Sequence, residues 1–584
     1  MADRKNISVR WLYKGEKEKW IPFCGNDSIL LEEEYFSSQN WRGELRRSVD
    51  SSVLVRDGMY TADVKKKVCQ PVYWEGSPTV IIRGTWFVET RKGVYQPLPE
   101  EEADYIERSH WSEPLRNKLE GGQDETDGTK SSSKSREPLF TAEQVASSSS
   151  SHCIAWYGED DVWLNTKGIT NSVTKRVGSL LGNKKKGDLV RAKRLRRGWH
   201  TQPSKEDKLP KAIHLVMVIH GIGQALDSSS IVTSAKGLSE ACLQEVLGNA
   251  PDGEANGRVE FLPVEWRTSL TLDGGLLDRI SPPGISQIRK ISQLAVCDIL
   301  YYMSPLYGLE VVNNALNTIN KQYRRYVDNH PEFAIDGRVS LLAHSLGSVI
   351  SYDILATQAW GSKTKWVGQT PSCEERLLFP VENFFAIGSP LSLFLSMRGA
   401  DSEKKMSRLE DNPFCLPETV CRKMFNIYHP SDPIAFRWEP LISPKYAEIQ
   451  PVTVSRDSHR TSSSSSTSSL TSDKDEADRP PTVAAASSKS SSLFGSIAGA
   501  IGTAITSSKL LTGSVPSDDQ RASKTKGSLP ESFIPRDKRL PQRYDYALKE
   551  SFVEHASQYI QAITAHTNYW TSTEVVRFIL AHTE

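Results

Sequence analysis

Arg338-Val339-Ser340-Leu341-Leu342-Ala343-His344-Ser345-Leu346-Gly347, continued by Val349 to Leu355, decides how this 584-residue chain is read. Arg338 to Leu342 has the short apolar pattern of a buried strand, and Val349 to Leu355 has helical character. Between them, small residues flank Ser345. Acyl transfer needs an activated hydroxyl, and a sharp strand-to-helix turn exposes one without steric blockage. The usual form of this turn has Gly at both ends, and Ala343 departs from it by one methyl group. Ser345 is the expected nucleophile.

Working outward, short apolar runs recur on both sides of the turn. Ile213 to Ile219 is broken only by His214 and meets His220-Gly221-Ile222-Gly223; Val259 to Val264 follows. Helical spacing over about 285–328 precedes the serine, and Asn383 to Ile387 and Lys423 to Tyr428 repeat the strand pattern after it. Strand, turn and helix in recurring order predict an α/β fold, an α/β-hydrolase-like doubly wound sheet. The loop after an early strand in such a fold supplies backbone N–H groups to the oxyanion, so Gly221 and Ile222, with the N–H of Leu346, are the candidate oxyanion donors.

Chain order in this fold is nucleophile, acid, then histidine, which excludes His220 and His344 as the base. Asp432, in the turn His429-Pro430-Ser431-Asp432-Pro433 directly after a strand-like run, is the favoured acid; Asp545 and Asp353 are rivals. His566, in a loop before the helical run Glu574 to Leu580, is the favoured base. His555 and His582 lie within apparent helices, and His429 is too near Asp432 in sequence. Asp432, Asp545 and His566 also form an alternative hard-ligand set for a metal, although a metal-bound histidine cannot serve as the free base for Ser345. The serine reading needs no cofactor.

Around this core the organisation follows composition. Residues 9–110 alternate like strands and are dense in aromatics, predicting a small β-rich module; 119–151 reads as a disordered linker. The catalytic core is expected over 155–454 and again over 537–584, interrupted by a disordered Ser-rich insert at 455–536. The net charge of +1 predicts no global attraction to nucleic acid or to anionic lipid. Eight scattered Cys and no N-terminal apolar run suggest reduced thiols in a cytoplasmic protein, and nothing approaches the roughly 20 apolar residues of a membrane span. If such a protein works on lipid, it must visit the membrane from the water side. Two local features suit that visit. One is the basic cluster of Lys184, Lys185, Lys186, Arg194, Arg196 and Arg197, which would attract anionic lipid. The other is Leu493 to Ile505, where Phe494, Ile497 and Ile501 fall at helical spacing among Gly, Ser and Ala.

Several blocks, in one order, resemble the phosphatidic-acid-preferring intracellular phospholipases A1, the DDHD-domain lipases. They include His214 to Gln224, Phe261-Leu262-Pro263-Val264-Glu265-Trp266, Tyr302-Met303-Ser304-Pro305, Ile387-Gly388-Ser389-Pro390, Tyr428 to Arg437, Tyr544-Asp545-Tyr546 and His566-Thr567-Asn568-Tyr569-Trp570. Trp11-Leu12-Tyr13 and Trp20-Ile21-Pro22-Phe23 resemble the WWE-like region of those lipases. The resemblance implies a DDHD-type region beginning near 380 and hydrolysis of the sn-1 acyl ester of a glycerophospholipid, with phosphatidic acid preferred, by an enzyme peripheral on an organelle membrane. The contrasting expectations are a catalytically silent lipid-binding trafficking adaptor and a metal-dependent phosphoesterase.

Overall fold

Two kinds of strand distinguish the two halves of the chain: short strands of mixed burial in the first, and strands buried along nearly their whole length in the second. The computed structural model describes residues 8–15, 18–39, 52–120, 138–145, 151–166, 193–221, 231–249, 257–267, 299–304, 307–360, 376–398, 414–454, 529–549 and 565–583. The chain divides into two units, Met1–Leu209 and Pro210–Glu584.

In the first unit, β1 (Arg10–Lys14), β2 (Trp20–Pro22), β3 (Ser52–Val55), β4 (Tyr60–Asp63), β5 (Val68–Pro71) and β6 (Thr79–Gly84) form one antiparallel sheet, ordered β2-β1-β6-β5-β4-β3. A second antiparallel sheet holds β7 (Trp86–Arg91), β8 (Val94–Pro97), β9 (Phe140–Val145), β10 (Ser151–Trp156), β11 (Val162–Thr166) and β12 (Lys193–Arg197), ordered β8-β7-β12-β11-β10-β9. Aromatic side chains fill the interior of this unit, within the expected module and beyond it. Trp11, Trp86 and Trp156 are fully buried, and each indole N–H finds an acceptor: Glu32 at 3.0 Å, Glu107 at 2.7 Å and His110 Nδ1 at 3.3 Å.

The expected boundaries change here. Residues 140–145 and 151–166 belong to the second sheet, so 119–151 is not wholly a linker and the catalytic unit begins at Pro210 instead of 155. These strands are short and polar enough to pass for connections. The basic cluster changes too. Arg194 is exposed, but Arg196 lies over the Tyr95 ring at 5.5 Å, and Arg197 makes a forked pair with Glu107 at 2.6 and 3.0 Å. Arg197 is therefore committed to the fold of this unit. Lys184, Lys185, Lys186, Phe494, Ile497 and Ile501 lie outside the described residues.

The second unit is built on β13 (Ala212–Ile219), β14 (Arg258–Val264), β15 (Arg338–His344), β16 (Val381–Ile387), β17 (Cys421–Tyr428), β18 (Val452–Thr453) and β19 (Asp545–Ala547). All neighbours pair in parallel, in the order β14-β13-β15-β16-β17-β19-β18. Every residue of β14 is buried, as is all of β13 except Ile213, because helices cover a parallel sheet on both faces. The helices Ile231–Asn249 and Thr573–Thr583 pack against each other and, through Leu238, Ile579 and Phe578, join a core with Val216, Val218, Phe385 and Phe425. His214 bridges Ser340 Oγ at 2.7 Å and the Thr583 carbonyl at 3.2 Å, while Asn383 donates to the His582 carbonyl at 2.9 Å. The last helix is thereby tied to the sheet.

Chain order reverses at β13, which pairs with β14 on one side and β15 on the other. A parallel sheet opens a crevice at such a switch point, beyond the carboxyl ends of its strands. The register aligns those ends: Ile219 opposite Ala343, His344 opposite Ile387, and Ile387 opposite Ile427. The excursion after Val454 returns earlier than 537. Leu529 bonds back to Gln450 N–H at 2.9 Å and to the Glu448 carbonyl at 3.0 Å, so 529–536 belong to the folded unit.

Candidate active site

Ser345 is the single residue between the end of β15 and the helix Leu346–Trp360. Its φ is 54°, a left-handed conformation that costs a residue with a Cβ on the order of 1–3 kcal/mol and is sustained only by its surroundings. Those surroundings are defined. The Ser345 amide donates to the Ile387 carbonyl at 3.1 Å, and its carbonyl accepts from the Ser348 amide at 3.0 Å and from Ser348 Oγ at 2.5 Å. Ser348 Oγ is in turn 2.6 Å from Ser389 Oγ. The strain fixes Oγ at the head of the helix. The serine is not the exposed group that its turn suggested, being only 4% accessible.

His566 Nε2 is 3.2 Å from Ser345 Oγ, and His566 Nδ1 is 3.1 and 3.0 Å from the two carboxylate oxygens of Asp432. Three residues separated by up to 221 positions in sequence thus form one hydrogen-bonded chain of serine, histidine and aspartate. His566 lies on a helical turn, 565–567, that runs into the 3₁₀ turn Asn568–Thr571; the loop expected there is a coiled but ordered support.

Asp432 is buried, which opposes its ionisation, but hydrogen bonds from His566, Tyr569 and the Ile434 amide outweigh burial and hold the carboxyl below its ordinary value. The His344 ring lies 4.7 Å from that of His566, and its Nε2 meets the His566 carbonyl at 2.8 Å. Burial pushes His344 down to about 3 and His220 down to about 4, so both are neutral near pH 7. His344 is then an N–H donor that steadies His566.

Gly221 sits against the elbow. A Cβ there would fall 2.6 Å from Ser345 Cβ and 3.1 Å from Leu346 N, a space only glycine leaves open. Gly221 and the Leu346 amide therefore converge beside Ser345; Ile222, the other expected oxyanion donor, lies outside the described residues.

The rival residues have other occupations. Asp353 accepts a forked pair from Arg398 at 2.7 and 2.9 Å and a bond from Tyr302. Asp545 accepts from Asn426, Arg437 and the amides of Trp438 and Glu439 at 2.8–3.2 Å, so it does not join Asp432 and His566 as a third ligand. Among the described residues, no group of three or more His, Cys, Asp or Glu converges to hold a metal ion. His582 Nδ1 is 2.8 Å from the Phe578 carbonyl, and His429 Nδ1 accepts from the Ser431 amide; His555 is outside the described residues.

The sequence reading did not single out Tyr569 or Gly388. Tyr569 follows His566 by three residues, and such spacing on a helical turn brings both side chains to one side. Gly388 has φ 56°, and a Cβ on it would meet Tyr569 at 2.8 Å, Asp432 at 3.0 Å and His566 at 3.2 Å. Positive φ and close approach both demand glycine there.

Comparison with known proteins converges on these same stretches. A DDHD domain is matched over residues 377–534 and 455–583, taking in Asp432 and His566, and a WWE domain over residues 4–83. The chain belongs to the DDHD-domain lipase family. It is similar to the bovine protein named phospholipase DDHD1, with 28% identity over 98% of this chain and 79% of that protein. It is 28% identical to the intracellular phospholipase A1 of Caenorhabditis elegans, over 77% of this chain and 58% of that protein. The human triacylglycerol hydrolase DDHD2 is 24% identical over 98% of this chain and 92% of its own length. The chain thus spans well under two thirds of the nematode relative. No solved structure matches this DDHD-family chain.

Proposed function

We propose that this chain is a serine lipase that hydrolyses the sn-1 acyl ester of a glycerophospholipid, phosphatidic acid foremost, at a membrane surface. The observation that carries the reading is the contact of His566 with both partners, Ser345 Oγ at 3.2 Å and the Asp432 carboxylate at 3.0 Å. Relatives named as phospholipases support the substrate class.

In this mechanism His566 Nε2 takes the Ser345 proton as Oγ attacks the ester carbonyl. Asp432 holds the Nδ1–H tautomer and stabilises the imidazolium. The oxyanion of the tetrahedral intermediate lies toward the Leu346 amide at the helix start, beside the Gly221 turn. Collapse expels the glycerol oxygen, which takes the proton from His566 and leaves as a 2-acyl lysophospholipid. Water, activated by His566, then frees the fatty acid and restores Ser345.

Approach to lipid is supported by four apolar side chains on segments leaving the carboxyl ends of the strands. Leu393 and Met397 lie one helical turn apart on Leu391–Met397, and Ile434 and Phe436 directly follow Asp432. They are 40%, 58%, 39% and 40% exposed, and the Phe436 amide donates to the Ser389 carbonyl at 2.9 Å, joining the two segments beside the triad. None of the helices among the described residues is long and apolar enough to cross a membrane. We place the protein as a peripheral visitor from the cytoplasm, drawn to anionic lipid.

The test is product analysis on vesicles of defined phosphatidic acid, phosphatidylcholine or triacylglycerol, with and without EDTA, combined with fluorophosphonate labelling. Labelling at Ser345 with release of fatty acid and 2-acyl lysophospholipid, insensitive to EDTA, is the expected result. Absence of labelling would favour the adaptor, and phosphate release that stops with EDTA would favour a metal-dependent phosphoesterase.

A further inference from the structure

Resting on that triad reading, we propose that Tyr569 is a positioning residue whose hydroxyl fixes the orientation of the Asp432 carboxylate, and through it the imidazole of His566. The direction of its bonds is unambiguous. The hydroxyl oxygen is 2.9 Å from the His429 amide, which can only donate, and 2.7 Å from Asp432 Oδ2, which as a carboxylate can only accept. The single phenolic proton therefore goes to Asp432. Burial and the neighbouring carboxylate raise the phenol well above its ordinary value, so it remains a donor throughout the working range.

The consequence is a balanced carboxylate. Oδ1 accepts from the Ile434 amide at 2.9 Å, Oδ2 from Tyr569, and the two oxygens stand almost equally far from His566 Nδ1. Without the hydroxyl, Oδ2 keeps only the imidazole, and apart from His566 the Ile434 amide alone restrains rotation of the carboxylate about its bond to Cβ. The ring cannot drift to compensate: Tyr569 is 1% exposed, and its edge lies where a Cβ on Gly388 would be 2.8 Å away. The same hydroxyl anchors His429 and so the turn that delivers Asp432 from β17. Among the described residues, His344 from β15 acts on His566 with His220 behind it, and Tyr428 at the end of β17 acts on Tyr569; the two histidines are neutral and Tyr428 is raised by burial.

The experiment uses the full chain and a soluble p-nitrophenyl ester. Tyr569→Phe keeps the ring and removes the proton. We expect kcat to fall about tenfold with KM changed less than about twofold, since an interaction needed for the transition state is lost and ester binding is not. The acid limb of the pH profile of kcat/KM should move upward, because a carboxylate relieved of the hydroxyl proton holds the imidazolium more strongly. In an Asp432→Asn background the same substitution should cost less than about twofold, as residues acting through one another do not add. Replacing Tyr569 with 3-fluorotyrosine strengthens the donor and should move the limb downward; this keeps a test open if the phenylalanine variant does not fold. Additive losses in the double variant, or a uniform loss with an unmoved limb, would overturn the inference. Failure of Ser345 labelling in the wild type sinks the triad reading itself. Labelling retained with wild-type kinetics in Tyr569→Phe sinks the Tyr569 role alone.

Discussion

Asp432 and Asp545 are both buried carboxylates with several hydrogen-bond donors, presented by the adjacent strands β17 and β19, yet their surroundings suit them to opposite tasks. Asp432 has one partner that can gain and lose a proton, His566, and lies just beyond the end of its strand. Asp545 lies deeper, opposite Asn426, and shares with Glu439 a knot of permanent cations: Arg437 Nε at 3.1 Å from Asp545, and Arg543 Nε at 2.7 Å from Glu439. Two carboxylates this close repel, and burial followed by the charge of Glu439 raises Asp545 to about 6. A carboxylate paired with a histidine can assist a reaction, whereas one paired with arginines holds a chain in place. The knot clamps residues 437–439, so it braces the far end of the segment that begins at Asp432.

The largest break in that comparison should come from the relay itself. Ser345→Ala is expected to lower ester hydrolysis by about five orders of magnitude or more, and Asp432→Asn by about four, with little change in melting temperature. Titration with a fluorophosphonate alongside initial rates checks both. Asp545→Asn should do the reverse: roughly 3 kcal/mol lost in denaturant unfolding, because Arg437 loses the nearer of its two carboxylates and the knot loses a charge-assisted network, with residual turnover per folded molecule near wild type. A fully folded but dead Asp545 variant would erase the distinction drawn here.

The segment between the two carboxylates offers a finer cut. Phe436→Asp and Leu393→Asp should reduce turnover on vesicles about tenfold and leave a soluble ester unaffected, since each removes a partly exposed apolar group from the proposed lipid face. Ile335→Asp, before β15 at the amino edge of the sheet and 86% exposed, should change neither. Equal loss at Ile335 would show that the effect is not local.

The smallest effect is a pH dependence of opposite sign at the two sites. The Asp432 carboxyl is depressed, so its contribution is present above the ordinary carboxylate range and lost as pH falls through its folded value. The Asp545 carboxyl is raised, so the folded state binds more protons between about pH 4 and 6 and its contribution weakens as pH rises. The stability penalty of Asp545→Asn should accordingly be larger at pH 5 than at pH 7.5 in parallel urea titrations.

Much of the proposed relay is legible in the sequence because Gly221, Ser345 and Asp432 each stand at the end of an apolar run, while His566 precedes one. Val218 to Gly221, Leu341 to Gly347 and Phe425 to Asp432 all read as strand followed by turn, and the family blocks fall on the same residues. What escaped notice had no such flag. Strands β9 to β12 are short, mix polar with apolar side chains without a clean alternation, and adjoin Ser-rich and Lys-rich stretches, so composition outweighed periodicity. Arg197 looked like a free cation because its partner, Glu107, is 90 residues away. Tyr569 was visible only as one letter of a block, since what matters is a hydroxyl aimed at a residue 137 positions earlier.

The parallel bridge between Ile449 and Leu529 means that the chain re-enters the folded unit beside the residues just before the edge strand β18, from whose other end it departs at Val454. A loop whose ends are already pinned can double in length for only about 0.6 kcal/mol of closure entropy. This edge is thus a natural splice point. Evolution can lengthen, shorten or exchange the cargo carried between Val454 and Leu529 while the strands that hold the triad residues are inherited intact, and a protein engineer could graft a reporter or a targeting module at the same place.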